Sequence, residues 1–590
     1  MTSQIIHTDV LVVGGGGAAF RAAIGAREKG SETLLVSKGP LARCGATPMA
    51  GADFTLDGQS LNQMGFPGEP KDSPETFFSD IVHQGFYLNN QKLLEQYVSS
   101  ASARLKELID WGIKIRRSEQ RAVYTTGIEI IDALHRRAKA LAVDILEDVM
   151  ILDLVTRDNQ AVGALGLDLQ GGQFLRFESR AVVLATGGWH KAFWPNAGMR
   201  DLSGDGIAIA HRAGAEIGNM EFITFCNNIL LSPPRWRGSL AGYILSFMGG
   251  ELTNSAGETF LDKYDPYVVE KGTTMEWNKG FVSYATAAEV RAGKGSPHSG
   301  VYYGLGKTPW SPFEQRALAY FPNWRYKALD LTELGRKLRD GEKVEVGAVA
   351  EYFDGGIVLN ERFETSVAGL YAAGECALGP FGANRVCSAI TEMLVQGADA
   401  GWNAADYASK AKGVSPHHRS FEDLEGKAEA PLLRDKGVMP AKLRRTLQER
   451  AHAHLGPVRT GVELTSLIEF LEKLKSDELP RLSTRSKSRA YNKEWFDALE
   501  LPNMVHLLEA AARSALLRTE SRGVHFREEH PYTDNDHWLC ESVVKLADGK
   551  LQITTRPPIF TSITPPGGVT PYLGMWKRMM EAHSPVGGNH

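Results

Sequence analysis

Residues 9–30, DVLVVGGGGAAFRAAIGAREKG, set the tightest limit on what this chain can fold into. An apolar, β-type run stops at Gly14 and continues as a small-residue, helix-forming stretch, which predicts strand, tight turn and helix. Gly14, Gly16 and Ala19 stand at the G-x-G-x-x-G/A positions, with Gly17 and Ala18 between them. Missing side chains there let the turn tighten, the backbone approach a pyrophosphate and the helix pack on a sheet. The helix N-terminus then offers free N–H groups to phosphate oxygens. A second β-type run, Thr33 to Val36, follows at the spacing of a βαβ unit. Where that pattern expects an acid for a ribose hydroxyl, this chain has Ser37 and Lys38. Serine still bonds a ribose, and the lysine suits a phosphate or a negatively charged flavin region.

Two further clusters have the same strand-then-turn form: AVVLATGG (181–188), ending in Ala185, Thr186 and Gly187, and GLYAAGEC (369–376). If all three strands lie parallel in one sheet, the clusters meet at its carboxyl edge, where ligands bind. Glycine is abundant at 61 of 590 residues, above the ~7% average. The remaining composition mainly excludes. With 66 Lys+Arg against 70 Asp+Glu the net charge is −4, which argues against a dedicated nucleic-acid binder. Five scattered cysteines make neither a disulfide framework nor a metal knuckle, so no metal site and no iron–sulfur cluster is expected. The first apolar run lacks signal-peptide flanks, and no window offers the ~20 apolar residues of a membrane helix. The expectation is a cytoplasmic chain without direct membrane insertion.

A longer ordered set of motifs resembles the flavoprotein subunit of succinate dehydrogenase and fumarate reductase, with L-aspartate oxidase as a soluble relative. It comprises VVGGGGAAFRAA, SKGPLARCGAT (37–47), ATGG, SGDG (203–206), EF (221–222), GELTNSAGETFLDKY (250–264), GLYAAGEC, GANR (382–385), TEMLVQG (391–397), RTESRGVHFREEHP (518–531) and WLCESVV (538–544). The resemblance implies non-covalent FAD. Gly14 to Ala19 would hold its pyrophosphate, and Ser37 and Lys38 its ribose and phosphate side. Cys44, Gly45, Ala46, Thr47 and Gly51 would pass beneath the isoalloxazine, with Ala185 to Gly187 beside them. Asp205 and Glu375 would bond the ribityl and adenosine portions, and the backbone of Ala389 and Ile390 would meet the flavin O2/N1 edge. A helix N-terminus at that edge favours the anionic reduced flavin.

Several positions depart from the family pattern. The histidine that bonds covalently to FAD in respiratory members aligns with Gly45, in Arg43-Cys44-Gly45-Ala46. Cys44, one residue off, is the alternative thioether site. Family members that bind dicarboxylates use a histidine after EF, a histidine before Tyr-x-x-Gly-Gly and the arginine of GANR, with a further arginine moving the proton. Here these positions read Cys226, Glu351, Arg385 and Ser246. Only the cation at Arg385 is kept, so succinate and fumarate are not the expected substrates. Arg385 would anchor a carboxylate or carbonyl. Glu351 is either a general base or the ion-pair partner of an arginine such as Arg385, and Cys226 either a buried filler or a nucleophile. Ser246 carries no signal of its own. Trp236, Tyr243, Phe247, Trp277, Tyr284, Tyr302, Tyr303 and Trp310 are core or line a cleft for a bulkier substrate. Arg235, Arg237 and His298 are loop residues or, alternatively, anion and proton carriers.

The expected class is α/β, with a Rossmann-like FAD-binding domain (1–221 and 347–412), an inserted α+β capping domain (222–346), a C-terminal helical domain (436–540) and an extended tail (541–590). The expected activity is hydride exchange between flavin N5 and a carbon of an organic acid, enone or cyclic compound. A ferredoxin-like iron–sulfur subunit is the expected electron partner. The alternatives are an oxidase of the aspartate-oxidase kind and an electron-transfer subunit that has lost substrate turnover.

Overall fold

A computed structural model describes residues 4–51, 53–271, 278–320, 331–385, 388–411, 416 and 418–582. The strand Gln4–Val13 pairs in parallel with Thr33–Val36 on one side and Phe174–Leu184 on the other. Asp144–Leu146 extends the sheet beyond Thr33–Val36, and Leu370–Ala372 lies parallel to the end of Phe174–Leu184. The three glycine clusters therefore follow parallel strands, as expected, and meet at one edge. Val10, Leu11 and Val12 are fully buried, as are Val182 and Val183. Strands covered on both faces read as such continuous apolar runs. The start of Phe174–Leu184 instead pairs antiparallel with Gln160–Asp168, which pairs with Val149–Arg157.

Two helices, Gly17–Glu28 and Ala389–Lys410, pack against each other over this sheet. Their approach is backbone to backbone: a Cβ added at Gly401 would lie 2.1 Å from the Ala22 carbonyl oxygen. The small residues of both segments are what lets these helices approach.

Between the two parts of this layer runs an antiparallel sheet ordered Ile223–Leu230, Val344–Phe353, Val301–Gly304 and Glu251–Thr253. Helix Lys279–Glu289 packs on it, tied by Ser283 Oγ donating to the Phe225 carbonyl at 2.6 Å. Helices Pro440–His454, Gly461–Lys473 and Lys493–Leu517 form the C-terminal bundle.

The segment after 540 differs from the extended arm expected. Glu541–Ala547 and Lys550–Arg556 form a hairpin that joins Ile217–Gly218 in one sheet, and Tyr572–Ala582 is a helix. Val543, Val544, Tyr572, Met575 and Trp576 are buried, and that apolar burial holds the segment down against the prolines and glycines of 557–568. Residues 583–590 lie outside the described residues. No helix among the described residues is long and apolar enough to cross a membrane.

Candidate functional site

At the carboxyl edge of the parallel strands lies a cavity of about 320 Å³. Its floor is the turn Gly14–Gly17, which leads into helix Gly17–Glu28. The other walls are the segment 44–51, the turn after Leu184, the start of helix Asp205–Arg212, the turn Gly374–Cys376 and the first turn of helix Ala389–Lys410. Of the predicted cofactor residues, Gly14, Gly16, Gly17, Ala18, Lys38, Cys44, Gly45, Ala46, Thr47, Gly51, Ala185, Thr186, Gly187, Asp205, Glu375, Ala389 and Ile390 all line it. Ala19 and Ser37 do not. Ala19 is fully buried under the turn. The Ser37 hydroxyl is directed inward, donating to the Gly39 carbonyl at 2.8 Å and lying 3.2 Å from Cys44 Sγ. With its proton given to Gly39, Ser37 Oγ could meet a ribose hydroxyl only as an acceptor.

Lys38 also differs from its expected role. Its ammonium has three N–H donors. All three are placed within the protein, on Ser203 Oγ at 2.8 Å, Asp205 at 2.7 Å and Glu500 at 2.5 Å. Asp205 also accepts from Asn503 at 2.7 Å. The lysine therefore joins the cavity wall to the C-terminal helix Lys493–Leu517 and is not a free phosphate ligand. Asp205 is held below the usual carboxylate range: burial opposes this, but Lys38, Asn503 and Ser203 outweigh it.

The other end of the cavity carries Glu351, Tyr352, Glu392 and His190. Glu351 pairs with Lys279 at 2.8 Å and not with Arg385. Arg385 is buried, lies outside the cavity lining, and donates to Glu392 at 2.6 Å. Its guanidinium stacks 3.7 Å from the Tyr352 ring centroid, and the Tyr352 hydroxyl donates to the same Glu392 at 3.0 Å. Gln396 completes the set, donating to the other Glu392 oxygen at 2.9 Å. The buried Glu375 carboxyl accepts from Gly188 N at 3.1 Å and Phe353 N at 3.4 Å and faces His190 at 3.6 Å; burial pushes its pKa up.

Cys226 and Ser246 are not among the cavity-lining residues. Cys226 is fully buried in an apolar cluster with Ile229, Leu231, Tyr243 and Val349, which fits a filler and gives a nucleophile no access to the cavity. The Ser246 hydroxyl donates to the Tyr243 carbonyl at 2.5 Å. Trp236, Tyr243, Phe247, Tyr284, Tyr303 and Trp310 pack in apolar clusters of the inserted region, and neither they nor Tyr302 line the cavity. Trp277 lies outside the described residues. His298 is bound to Glu345 at 2.6 Å, Arg235 to Glu333, and Arg237 to the Leu231 carbonyl at 2.9 Å, all away from the cavity.

The family model described as FAD binding domain matches residues 9–390, and the one described as fumarate reductase flavoprotein C-term matches 444–570. The chain belongs to the succinate dehydrogenase/fumarate reductase flavoprotein family. One subunit of the fumarate reductase (CoM/CoB) of Methanothermobacter marburgensis is 30% identical over 551 residues, 90% of this chain and 96% of that protein. The fumarate reductase flavoprotein subunit of Mycobacterium tuberculosis is 28% identical over 625 residues, 96% of this chain and 99% of that one. Among solved structures, Mycobacterium smegmatis Sdh1 in complex with UQ1 matches with a TM-score of 0.83 at 29% identity, over 95% of this chain and 96% of that chain.

As a member of this flavoprotein family the chain is an FAD-dependent oxidoreductase. The cavity fits the cofactor: a side-chain-free cradle at Gly14–Gly17, a helix N-terminus aimed at it, and mostly small residues in segments 44–51 and 185–187. Residues that sequence reasoning misses include Lys279, Glu392, Tyr352, Glu500 and Asp201, whose carboxylate accepts from Gly45 N at 2.8 Å. Glu392 and Tyr352 lie inside recognisable motifs, TEMLVQG and AEYFDGG. Lys279 and Glu500 give no local signal, since each meets its partner across a long sequence separation.

Proposed function

We propose that this flavoenzyme is a dehydrogenase or reductase that exchanges hydride between FAD and a carbon of an organic substrate other than succinate or fumarate. The supporting observation is the charge pairing at the cavity. Among the described residues lining it, the basic side chains are Lys38 and His190, and each faces a carboxylate. Arg385, the one cation kept from the family pattern, is engaged by Glu392. A substrate with two carboxylates would leave at least one charge without a partner, which costs in proportion to how far the bound substrate is withdrawn from water. An unsaturated monoacid, enone or cyclic compound fits this balance better.

Bound FAD supplies the hydride-accepting and hydride-donating chemistry. Glu351 would hold or move the substrate proton, supported by its carboxylate at the cavity wall with the Lys279 ammonium behind it on helix Lys279–Glu289. Electrons would pass to or from an iron–sulfur partner; that the relatives are named as subunits of larger enzymes supports a partner of some kind.

Anaerobic bleaching of the flavin against a panel of acids and cyclic enones tests this reading. Succinate should leave the flavin oxidised while a less charged compound reduces it. Glu351→Gln should lower the rate with that compound by about 10²–10⁴-fold without loss of FAD. Reduction by succinate at ordinary rates would sink the charge argument. Reduction by dithionite but by no compound in the panel would favour an electron-transfer subunit without turnover.

The cofactor should also be released intact. Gly45 offers no nucleophile at the position of the family's flavin-linking histidine, and burial pushes the neighbouring Cys44 thiol up, away from the reactive thiolate. Acid precipitation should leave a colourless pellet and free FAD in the supernatant; a yellow pellet would show a covalent bond.

A further inference from the structure

Behind the wall formed by Tyr352, Glu375 and Glu392 lies a carboxyl that the reading above does not use. Asp354 follows strand Val344–Phe353, is 7% exposed, and is fixed by its own N–H donating to the Phe222 carbonyl at 3.1 Å. Thr224, on strand Ile223–Leu230, donates to Asp354 Oδ2 at 2.8 Å. Oδ1 is buried with no hydrogen-bond partner among the described residues. The charged and titratable groups facing it are Arg385, Glu392 on helix Ala389–Lys410, and Glu375 on the turn Gly374–Cys376, with Tyr352 two residues before it. Arg385 is bound to Glu392, so it offsets one of these carboxylates directly and leaves Asp354 and Glu375 to share what field is left.

We propose that Asp354 is a redox-linked proton acceptor: it takes up one solvent proton when the FAD-loaded protein is reduced and returns it on reoxidation. The change at the residue is carboxylate plus proton to carboxylic acid, with the new O–H on the free Oδ1. No electron moves on Asp354; the electrons come from the substrate in turnover or from a mediator dye in the test. The physical cause is charge compensation. Electrons entering the cavity add negative charge beside a buried cluster that already holds more carboxylates than cations. Asp354, buried behind the cavity wall with an oxygen that accepts no hydrogen bond among the described residues, is then a ready place for a compensating proton. Burial, with Glu392 and Glu375 nearby, pushes Asp354 up to about 7 against the opposing pull of Thr224 and Arg385, so a modest further rise moves it across neutral pH. The inference needs FAD, not any particular substrate.

The test is the midpoint potential of the FAD-loaded protein measured from pH 5.5 to 9. For a two-electron couple each additional proton adds about 30 mV per pH unit to the slope. The wild type should show that extra slope in a window opening near pH 7, and Asp354→Asn, which keeps an acceptor for Thr224, should lack it. Thr224→Val removes a bond that favours the charged form, so it should move the window to higher pH. Superimposable potential–pH curves for wild type and Asp354→Asn would overturn the proposal. If that variant fails to hold FAD, an unmoved window in Thr224→Val overturns it instead.

The apoprotein gives a second readout. A carboxyl raised in the folded state stabilises fully below its ordinary value, and the contribution is lost as pH rises through the folded value. Thermal stability of the wild-type apoprotein should therefore fall more steeply between pH 5 and 8 than that of Asp354→Asn. Equal slopes would show that the buried Asp354 oxygen, unpartnered among the described residues, does not take up a proton in this range.

Discussion

Glu520→Gln should destabilise the protein by about 3–5 kcal/mol, the cost of breaking a buried ion set by removing one partner. Arg518, Glu520 and Arg522 are each no more than 1% exposed. Two Glu520 oxygens accept four donors: Arg518 Nη1 at 2.8 Å, Arg522 Nε at 2.7 Å, Arg522 Nη2 at 3.0 Å and Asp534 N at 2.8 Å. Glutamine has one oxygen to offer and sets an NH₂ against guanidinium donors; it leaves Arg518 with Glu221 as its carboxylate and takes from Arg522 the carboxylate it pairs with. The effect should spread, because Arg522 also donates to the Phe86 carbonyl at 2.9 Å and Arg518 to Glu221 at 2.8 Å, tying the C-terminal segment to two distant stretches of the FAD-binding part. Denaturation midpoints with saturating FAD check it. Asp110→Asn is the control: it breaks an i,i+4 pair with Lys106 in which both side chains are more than half exposed, and it should cost no more than about 1 kcal/mol. Equal midpoints for the two variants would remove the argument from burial.

The second large effect is expected at the glycine turn. Gly14 has φ +141°, and an added Cβ would lie 2.2 Å from the Ala185 carbonyl oxygen. Neither atom can move alone, because Ala185 N donates to the Val13 carbonyl at 2.8 Å and locks the two strands together there. Gly14→Ala should therefore lose several kcal/mol through strain and overpacking combined, and should purify with little or no FAD. Gly16→Ala separates fold from cradle. Gly16 has φ −88°, and its added Cβ would meet nothing nearer than Thr47 Oγ1 at 3.6 Å, so the apoprotein should keep its stability. Its methyl would still project into the cradle that the pyrophosphate needs, so FAD affinity should fall at least about tenfold. Full FAD occupancy in both variants would show that the turn does not carry the cofactor.

These two predictions rest on motifs that are legible in different ways. The glycine turn announces its own geometry, because strand, turn and helix are set by residues within one short window. RTESRGVHFREEHP is legible only as a family landmark. Its spacing of Arg518, Glu520 and Arg522 shows why the motif is dense in charge, but the contacts to Glu221 and Phe86 come from distant segments. The tail shows the converse. Its prolines and glycines suggest an exposed arm, yet Tyr572, Met575 and Trp576 are buried against the inserted region, and tertiary packing overrides local composition.

The same divide runs through the site. Glu351, Arg385 and Cys226 stand out in the sequence because they occupy family positions, but their pairing is not written there. The structure pairs Glu351 with Lys279 and Arg385 with Glu392, and sets Cys226 in an apolar cluster. The place of Lys38 after a strand points to a phosphate, and the carboxylate of Glu500 changes that assignment.

The sequence by itself determined the parallel α/β layer, the FAD cradle and the ancestry, since short-range backbone geometry and ordered motifs specify them. Only the tertiary structure decided which charges in the cavity are already paired. Pairing depends on side chains brought together from far apart in the chain, and whether a buried charge is free or matched fixes what a substrate must bring.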